Sequence, residues 1–346
     1  VIDEIQLIGD EDRGWAWTRV LLGINANEIH VCGEERALKL IEALCSETGD
    51  DLEVKHYKRL TPLKVTARSS INEDYRNVRE GDCVVAFSRK EVFRIKHEIE
   101  RNTRLRVAVV YGSLPPKVRL EQSHLFNSEN SKYDVLVATD AIGMGLNLNI
   151  RRIIFNSMEK FDGTMRRLLE PWEIRQIAGR AGRFGSLYPK GEVTCLKSSD
   201  CKLLQSSFIT KQLPDIEAAG LFPPIDQIEY FTRQFSPEQK LSVTLDSFYK
   251  LTEMDPKYFM CNIDERKQVA NLLHTIKDLT FRERMQFLNA PIDTVDPNAM
   301  RVAKGYAVHH AQGSPVPLMV QPPDSQPQTM EQLREVESIY KILDVY

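Results

Sequence analysis

Three short strings hold residues whose types and spacing suit phosphate chemistry. Asp3-Glu4-Ile5-Gln6 sets two carboxylates side by side just after the apolar pair Val1-Ile2. Hydrolysis of a nucleoside triphosphate needs a carboxylate to hold Mg2+ and a second group to orient or deprotonate the attacking water. Acids just past the carboxyl end of a parallel strand stand where α/β sheets bind ligands. Taken alone, an Asp-Glu pair is more often a solvated turn. In the second string, an apolar run Val135–Ala138 leads into Thr139-Asp140-Ala141-Ile142-Gly143-Met144-Gly145-Leu146-Asn147. Gly143 and Gly145 permit positive φ and close approach of backbone to a ligand, and a Thr139 hydroxyl at a strand end suits a phosphate oxygen. The plainer reading is a strand-to-helix turn capped by Asp140. A dinucleotide fingerprint fits poorly, because Leu146-Asn147-Leu148 follows where a third glycine belongs.

The third string is Gln176-Ile177-Ala178-Gly179-Arg180-Ala181-Gly182-Arg183. On a helix entered through Pro171, Gln176, Arg180 and Arg183 fall at i, i+4 and i+7 and share one face. Gly179 and Gly182 each cost such a helix about 1 kcal/mol against alanine, which close approach to another segment or a ligand would explain. Two guanidiniums on one face can stabilise charge on a transferring γ-phosphoryl group. A salt-bridged basic surface helix is the alternative.

The elements that must carry these strings alternate between apolar runs and helix-period segments from residue 1 to about 213, the pattern of a parallel α/β sheet. Strands are expected at Ile29–Cys32, Cys83–Phe87, Val107–Tyr111, Asp134–Ala138, Arg152–Phe155 and Glu192–Leu196, and helices at Gly14–Asn25, Glu34–Glu47, Glu91–Arg101, after Pro115-Pro116 and over Pro171–Gly182. Leu52–Tyr57 reads as extended and Lys58–Pro62 as a linker. Strands apolar on both faces require helices on both sides, so the fold class is α/β, with a RecA-like or Rossmann-like sheet. Beyond Leu213 the pattern turns helical, broken at Pro214, Pro223-Pro224, Pro237, Pro256, Pro291 and Pro297. A Pro/Gln-rich insert near 313–327 reads as a loop, and a last helix is expected near Thr329.

Composition sets the outer limits. With 346 residues, 46 Lys and Arg against 49 Asp and Glu, the net charge is −3, which excludes a globally basic nucleic-acid-coating protein but not a local basic channel. Residues 151–185 hold eight Lys or Arg and four Asp or Glu, a surplus that suggests a basic patch. No apolar run approaches the roughly 18 residues that cross a bilayer, so no membrane partner is expected. Six cysteines form no C-x-x-C pair, hence neither a disulfide framework nor a zinc site is expected. The apolar opening without Met or leader, and a last residue inside an apolar run, read as an internal fragment.

In order, D-E-x-x, A-T-D-x-x-x-x-G-L-N and Q-I-A-G-R-A-G-R resemble motifs II, V and VI of superfamily 2 helicases. Val31-Cys32-Gly33-Glu34 lies at the position of motif III, and Val84–Arg89 looks like motif IV. The strings DEIQ, GWAWTR, YKRLTPL, VYGSLPP, ATDAIGMGLNL and QIAGRAGRF together resemble the mitochondrial degradosome RNA helicase family, an ATP-dependent DExH-type group. The likeness is dense over residues 1–195 and thins through 213–290.

That resemblance implies the end of a first RecA-like ATP-binding domain over 1–60, a complete second RecA-like domain over 61–212, and a mostly helical C-terminal region over 213–346. It implies ATP and Mg2+ as cofactors, Asp3 holding Mg2+ through water with Glu4, and Glu4 as base for the attacking water. Gln6, standing where many relatives carry His or Asp, would couple nucleotide state to the second domain. Gln176, Arg180 and Arg183 would face the γ-phosphate, with Arg183 as arginine finger. Gly143, Gly145 and Asn147 would line the nucleotide, Asn147 where many relatives place Asp against the ribose. RNA backbone contacts would fall to Ser88, Arg89, Gly112, Ser113 and Thr139, with the amides at the following helix start offering a phosphate site. The resemblance further implies 3′-to-5′ unwinding of RNA duplexes, a role in mitochondrial RNA turnover, residence in the matrix and contact with polynucleotide phosphorylase.

One departure stands out. No G-x-x-x-x-G-K-[ST] loop occurs in this sequence, so the triphosphate has half a cradle, and the loop is expected upstream of Val1. Two rival classes remain: a catalytically inactive helicase-like RNA-binding or scaffold protein, against which the combined presence of Asp3, Glu4, Arg180 and Arg183 argues, and a nicotinamide oxidoreductase, which lacks its glycine fingerprint. His309-His310 has no third ligand nearby and reads as a solvated helix rather than a metal site. Trp15 and Trp17 read as core or interdomain packing.

Overall fold

Two separate stretches of chain, Val1–Val54 and Pro214–Tyr346, fold into one unit, and Lys55–Leu213 folds into another. The computed structural model describes residues 1–66, 70–128, 132–143, 145–210, 213–236 and 238–346. Met144 of the second string and Pro237 of the helix-breaking prolines lie outside the described residues.

In the first unit the opening residues pair through a single parallel bridge, Ile2 with Val31, rather than through the full strand expected at Ile29–Cys32. Ile5–Gly9 then winds into a 3-10 turn. Helix α1 (Gly14–Gly23) and α2 (Leu38–Thr48) follow. Their apolar residues meet Ile2, Ile5 and Ile8 in a core with Leu40, Ile41 and Leu44, all at most 7% exposed. α2 ends at Gly49, whose φ of 76° supplies the left-handed stop.

The second unit carries the parallel sheet. Its strands are β1 (Leu63–Val65), β2 (Asp82–Val85), β3 (Val107–Val110), β4 (Val135–Ala138), β5 (Arg152–Phe155) and, after a short antiparallel hairpin of β6 (Glu159–Phe161) and β7 (Arg166–Leu168), β8 (Gly191–Cys195). The order β1-β8-β5-β2-β4-β3 is parallel throughout. The apolar runs bury both faces by simple alternation. Cys83, Val85, Leu136, Ala138, Ile153 and Phe155 belong to one core, and Val84, Val135, Val137 and Ile154 to the other. Each core is closed by helices: α3 (Arg89–Asn102) brings Val92, Ile95 and Ile99 to the second face. α4 (Pro116–Asn127), α5 (Pro171–Ala178) and α6 (Cys201–Ile209) bring Phe126, Ile174, Ile177 and Leu204 to the first.

The expected helix over Pro171–Gly182 is shorter than its spacing suggested, stopping at Ala178. Gly182 takes φ 66° and its N–H donates to Ile150 O at 2.8 Å, so the chain has left the helix by then. Gln176 therefore sits on the helix, whereas Arg180 and Arg183 sit in the loop beyond it.

The first unit resumes with β9 (Ala219–Leu221), α7 (Ile225–Thr232), α8 (Leu241–Leu251), β10 (Tyr258–Met260), α9 (Asp264–Leu273), α10 (Phe281–Asn289), α11 (Pro297–Ala311) and α12 (Met330–Val345). Ile228, Leu245, Leu273, Met285 and Ala307 centre the helical core. The last helix begins at Met330, next to the Thr329 start expected from the sequence, and Thr329 caps it in a reciprocal box with Gln332. The Pro/Gln-rich insert has no regular structure, yet Val316, Met319 and Val320 pack beside Val302 and Tyr306 of α11. Trp15 of α1 meets Phe222 at 5.8 Å between ring centroids, with the Arg266 guanidinium 4.3 Å above the Phe222 ring. His310 pairs with Glu283 at 3.0 Å and His309 with Ser314 at 3.1 Å. Among the described residues, no helix is long and apolar enough to cross a membrane.

Candidate functional site

The Ile2–Val31 bridge decides where the acidic string stands. Ile2 N–H donates to His30 O at 2.7 Å, and Ile5 N–H to Cys32 O at 3.0 Å, which sets the Asp3-Glu4 turn against Gly33-Glu34. Glu4 adopts φ 54°, ψ 47°, a left-handed conformation rare outside glycine. Asp3 Oδ1 accepts the Glu4 N–H at 2.9 Å. Gln6, only 5% exposed, donates through Nε2 to Glu4 Oε2, while its Oε1 accepts the Glu34 N–H at 3.2 Å. Gly33 is obligatory here, since a Cβ would stand 2.5 Å from Gln6 Oε1 and 2.9 Å from the Ile5 nitrogen. Trp17 Nε1 donates to the Asp3 carbonyl at 3.0 Å, a brace that sequence spacing did not reveal.

The adjacent carboxylates of Asp3 and Glu4 are hard oxygen donors, and Mg2+ commonly takes one or two protein carboxylates and completes its shell with waters and phosphate oxygens. Among the described residues, no group of three or more His, Cys, Asp or Glu is gathered as a metal cluster. The donor pair fits a hydrated Mg2+.

In the second unit, the residues expected to meet RNA gather along one edge of the sheet. Ser88 and Arg89 follow β2, Thr139 follows β4, and Gly112 and Ser113 follow β3; these three strands are neighbours in the order β2-β4-β3. Ser88 caps α3 by accepting the Glu91 N–H at 3.2 Å. Thr139, 9% exposed, accepts the Ala141 N–H at 3.3 Å. Each hydroxyl still carries a proton for another acceptor. Asp140 opens a 3-10 turn, Asp140–Gly143, instead of capping a longer helix. Arg119 of α4 holds the Gly112 carbonyl at 2.7 Å and that of Leu114 at 3.1 Å. Pro115 and Pro116 begin α4 without N–H groups, so the amides offered there start at Lys117.

The residues of this unit expected to line the nucleotide form a second group. Gln176 lies beside Gly143, with its Cδ 3.8 Å from where a Gly143 Cβ would be. Arg180 donates to the Gly143 carbonyl, and Arg183 donates to the side-chain oxygen of Asn147. Asn127 Nδ2 donates to the Asn147 carbonyl at 2.6 Å. Gly145 is exposed with φ 71°. The second and third strings are thus bound directly to one another.

The basic surplus of 151–185 is largely spent inside the fold. Arg151 and Arg152 pair with fully buried Asp82; Lys160 and Arg167 pair with Glu173; Arg175 donates to the Ser207 carbonyl at 2.7 Å. Burial pushes the Glu173 carboxyl up, and its bonds with Arg167, Lys160 and the Glu170 N–H more than reverse this, leaving it below its ordinary range.

Known proteins bear on this geometry. Residues 67–185 match the model described as "Helicase conserved C-terminal domain", a stretch that holds β2, β3, β4 and β5 of the six-stranded sheet. Residues 1–57 match the "DEXQ-box helicase domain of Suv3", and residues 268–311 match "Suv3 C-terminal domain 1". The chain belongs to the Suv3-type DEXQ-box helicases, and Gln6 is regular for that group. It is 42% identical over 346 residues to the "ATP-dependent RNA helicase SUV3L, mitochondrial" of Oryza sativa subsp. japonica, covering 100% of this chain and 47% of that protein. It is 41% identical over 356 residues to the "ATP-dependent RNA helicase SUPV3L1, mitochondrial" of Homo sapiens, covering 100% of this chain and 44% of that protein. The chain therefore spans about half the length of these relatives. Among solved structures, "S. cerevisiae Dbp5 bound to RNA and ADP BeF3" aligns with a TM-score of 0.43 and 14% identity, over 67% of this chain and 61% of that one.

Proposed function

We propose that the whole protein is a mitochondrial ATP-dependent RNA helicase, moving 3′ to 5′ on RNA during RNA turnover, and that this chain supplies two half-sites for the nucleotide and one edge for the nucleic acid. The observation that carries the reading is the acidic turn. Glu4 is held left-handed, bonded to Gln6, which in turn reads the Glu34 amide. Nothing in ordinary packing asks for two adjacent acids in so constrained a turn.

In this reading Glu4 takes the proton of the attacking water and Gln6 keeps its carboxylate aimed. Asp3 would hold Mg2+ through water, a group that when bound would supply charge neutralisation at the phosphate oxygens. Arg183 stabilises the charge of the transferring phosphoryl group, Arg180 and Gln176 orient it, and Gly143, Gly145 and Asn147 shape the nucleotide contact. Ser88, Arg89, Gly112, Ser113 and Thr139 bind the RNA backbone, so affinity falls with salt and depends little on sequence. Polynucleotide phosphorylase is the partner this reading carries over from the family resemblance.

The test is Glu4→Gln in the full-length protein. RNA-stimulated ATP hydrolysis should be abolished while nucleotide binding persists; unchanged turnover would defeat the assignment. The 346-residue chain alone, without a G-x-x-x-x-G-K-[ST] loop, should show no ATPase activity but should bind single-stranded RNA in a salt-sensitive way.

A further inference from the structure

The loop carrying Arg180 and Arg183 begins where α5 stops, and the end of a helix leaves carbonyls without intrahelical partners. The Gly179, Arg180 and Ala181 N–H groups meet the carbonyls of Arg175, Ile177 and Ala178, and Arg59, from the segment that read as a linker in the sequence, meets the carbonyls of the loop just beyond. Its Nη1 donates to Gly179 O at 2.8 Å, and its Nη2 donates to Gly182 O at 2.7 Å and to Ala181 O. Its Nε donates to the carbonyl of Thr61 at 2.9 Å, which fixes the guanidinium to its own strand entry. One planar fork thus holds three of the four carbonyls between residues 179 and 182. A guanidinium suits this task because its donors diverge in a rigid plane and its charge complements the negative end of a helix.

With the backbone held from this side, the side chains of the same loop are committed elsewhere, Arg180 to Gly143 O and Arg183 to Asn147. Gly182 also packs so closely on Gly191 that the loop cannot shift toward β8. The two constraints leave the loop a single course.

We propose that Arg59 is a positioning residue, a clamp on the Gly179–Gly182 carbonyls that sets where the Arg180 and Arg183 guanidiniums stand. The inference rests on the proposed phosphoryl-transfer role of those two arginines and adds the group that aims them. Arg59 itself touches no reacting atom.

Arg59→Gln and Arg59→Lys, made in the full-length protein, test the clamp. Misplacing a charge-stabilising group by about 1 Å costs up to about 100-fold in rate. RNA-stimulated kcat should therefore fall about 10- to 100-fold, with the KM for ATP within about twofold of the parent. Affinity for ADP with aluminium fluoride, which imitates the transferring phosphoryl group, should weaken by a matching factor while affinity for ADP alone holds. The lysine variant keeps the charge and loses the fork, so it reads the clamp if the glutamine variant folds poorly. An unchanged kcat, or equal losses for ADP and for the fluoride complex, overturns the proposal. Arg183→Ala measured alongside separates the two ideas. If it loses turnover while both Arg59 variants keep theirs, only the clamp falls; if it too keeps turnover, the role given to Arg183 falls and takes the clamp with it.

Discussion

The Arg183 guanidinium donates to the side-chain oxygen of Asn147. Thirty-six residues of chain separate the two, and one belongs to the glycine-rich string after β4, the other to the arginine loop after α5. Their bond makes a single constellation of what the sequence presents as two motifs. Asn147→Ala should release Arg183 and let it sample other rotamers. A hydrogen bond to a charged group, discounted for the exposure of both residues, is worth about 1 kcal/mol. The expected loss in kcat/KM for ATP in the full-length protein is about fivefold, with RNA affinity unchanged. Equal losses in ATP turnover and RNA affinity would show that Asn147 acts on the unit as a whole.

Two glycines with left-handed backbone should respond very differently to alanine. A Cβ on Gly182 would lie 2.2 Å from the Gly191 nitrogen, whereas one on Gly145 meets nothing within 4 Å. Both substitutions incur the left-handed penalty of about 1–2 kcal/mol, and Gly182→Ala adds overpacking against rigid backbone, about 1–3 kcal/mol more. Thermal unfolding of the chain should show Gly182→Ala lowering the second unit's midpoint by about 8 °C and Gly145→Ala by about 3 °C. Matching shifts would mean that the Gly182–Gly191 approach does not restrict the loop.

This contrast also marks what could be read from sequence. The short apolar runs within β2, β4 and β5 announced buried parallel strands because each alternates between two complete cores. The motif strings were legible because paired acids, paired glycines and paired arginines occur in an order that packing does not demand. The end of α5 was not legible: Gln176, Arg180 and Arg183 keep a helical spacing, while the backbone beyond Ala178 is held by contacts with distant segments, Gly182 N–H on Ile150 O and the Arg59 fork among them. The β6–β7 hairpin escaped for want of length, with three residues a side and a charged, exposed pattern. Arg59 gave no local signal, because its carbonyl partners at Gly179, Ala181 and Gly182 lie 120 to 123 residues on. The cluster at 151–185 misled in the other direction, since composition counts charges and cannot see that Asp82 and Glu173 absorb four of them.

Gly33 tests the acidic turn without touching an acid. Alanine there would drive a Cβ to 2.5 Å from Gln6 Oε1, so the Gln6 side chain must leave the Glu34 amide and with it the Glu4 carboxylate. In the full-length protein, Gly33→Ala should cut RNA-stimulated kcat about 10-fold or more while ATP binding changes little. Gln6→Ala should reproduce the loss, and the double variant should add nothing further, because both act through the same bond. Additive losses would separate Gly33 from Gln6.

Glu173 gives the second unit a pH dependence of definite sign. The carboxyl is 4% exposed, and its bonds to Lys160, Arg167 and the Glu170 N–H hold it below its ordinary value of 4.5. A group depressed in the folded state binds its proton first in the unfolded chain, so its stabilisation is fully present above about pH 4.5 and is lost as pH falls through the folded value. Glu173→Gln leaves Lys160 and Arg167 without their shared anion, and each of these cations still reaches some solvent. The cost at pH 7 should be about 2 kcal/mol, below the usual figure for breaking a fully buried pair. Melting curves of parent and variant should differ by about 5 °C at pH 7, with the gap closing steadily from pH 4.5 downward. A gap that does not narrow at all below pH 4.5 would mean that Glu173 stabilises the fold by shape and hydrogen bonding, with its charge contributing nothing.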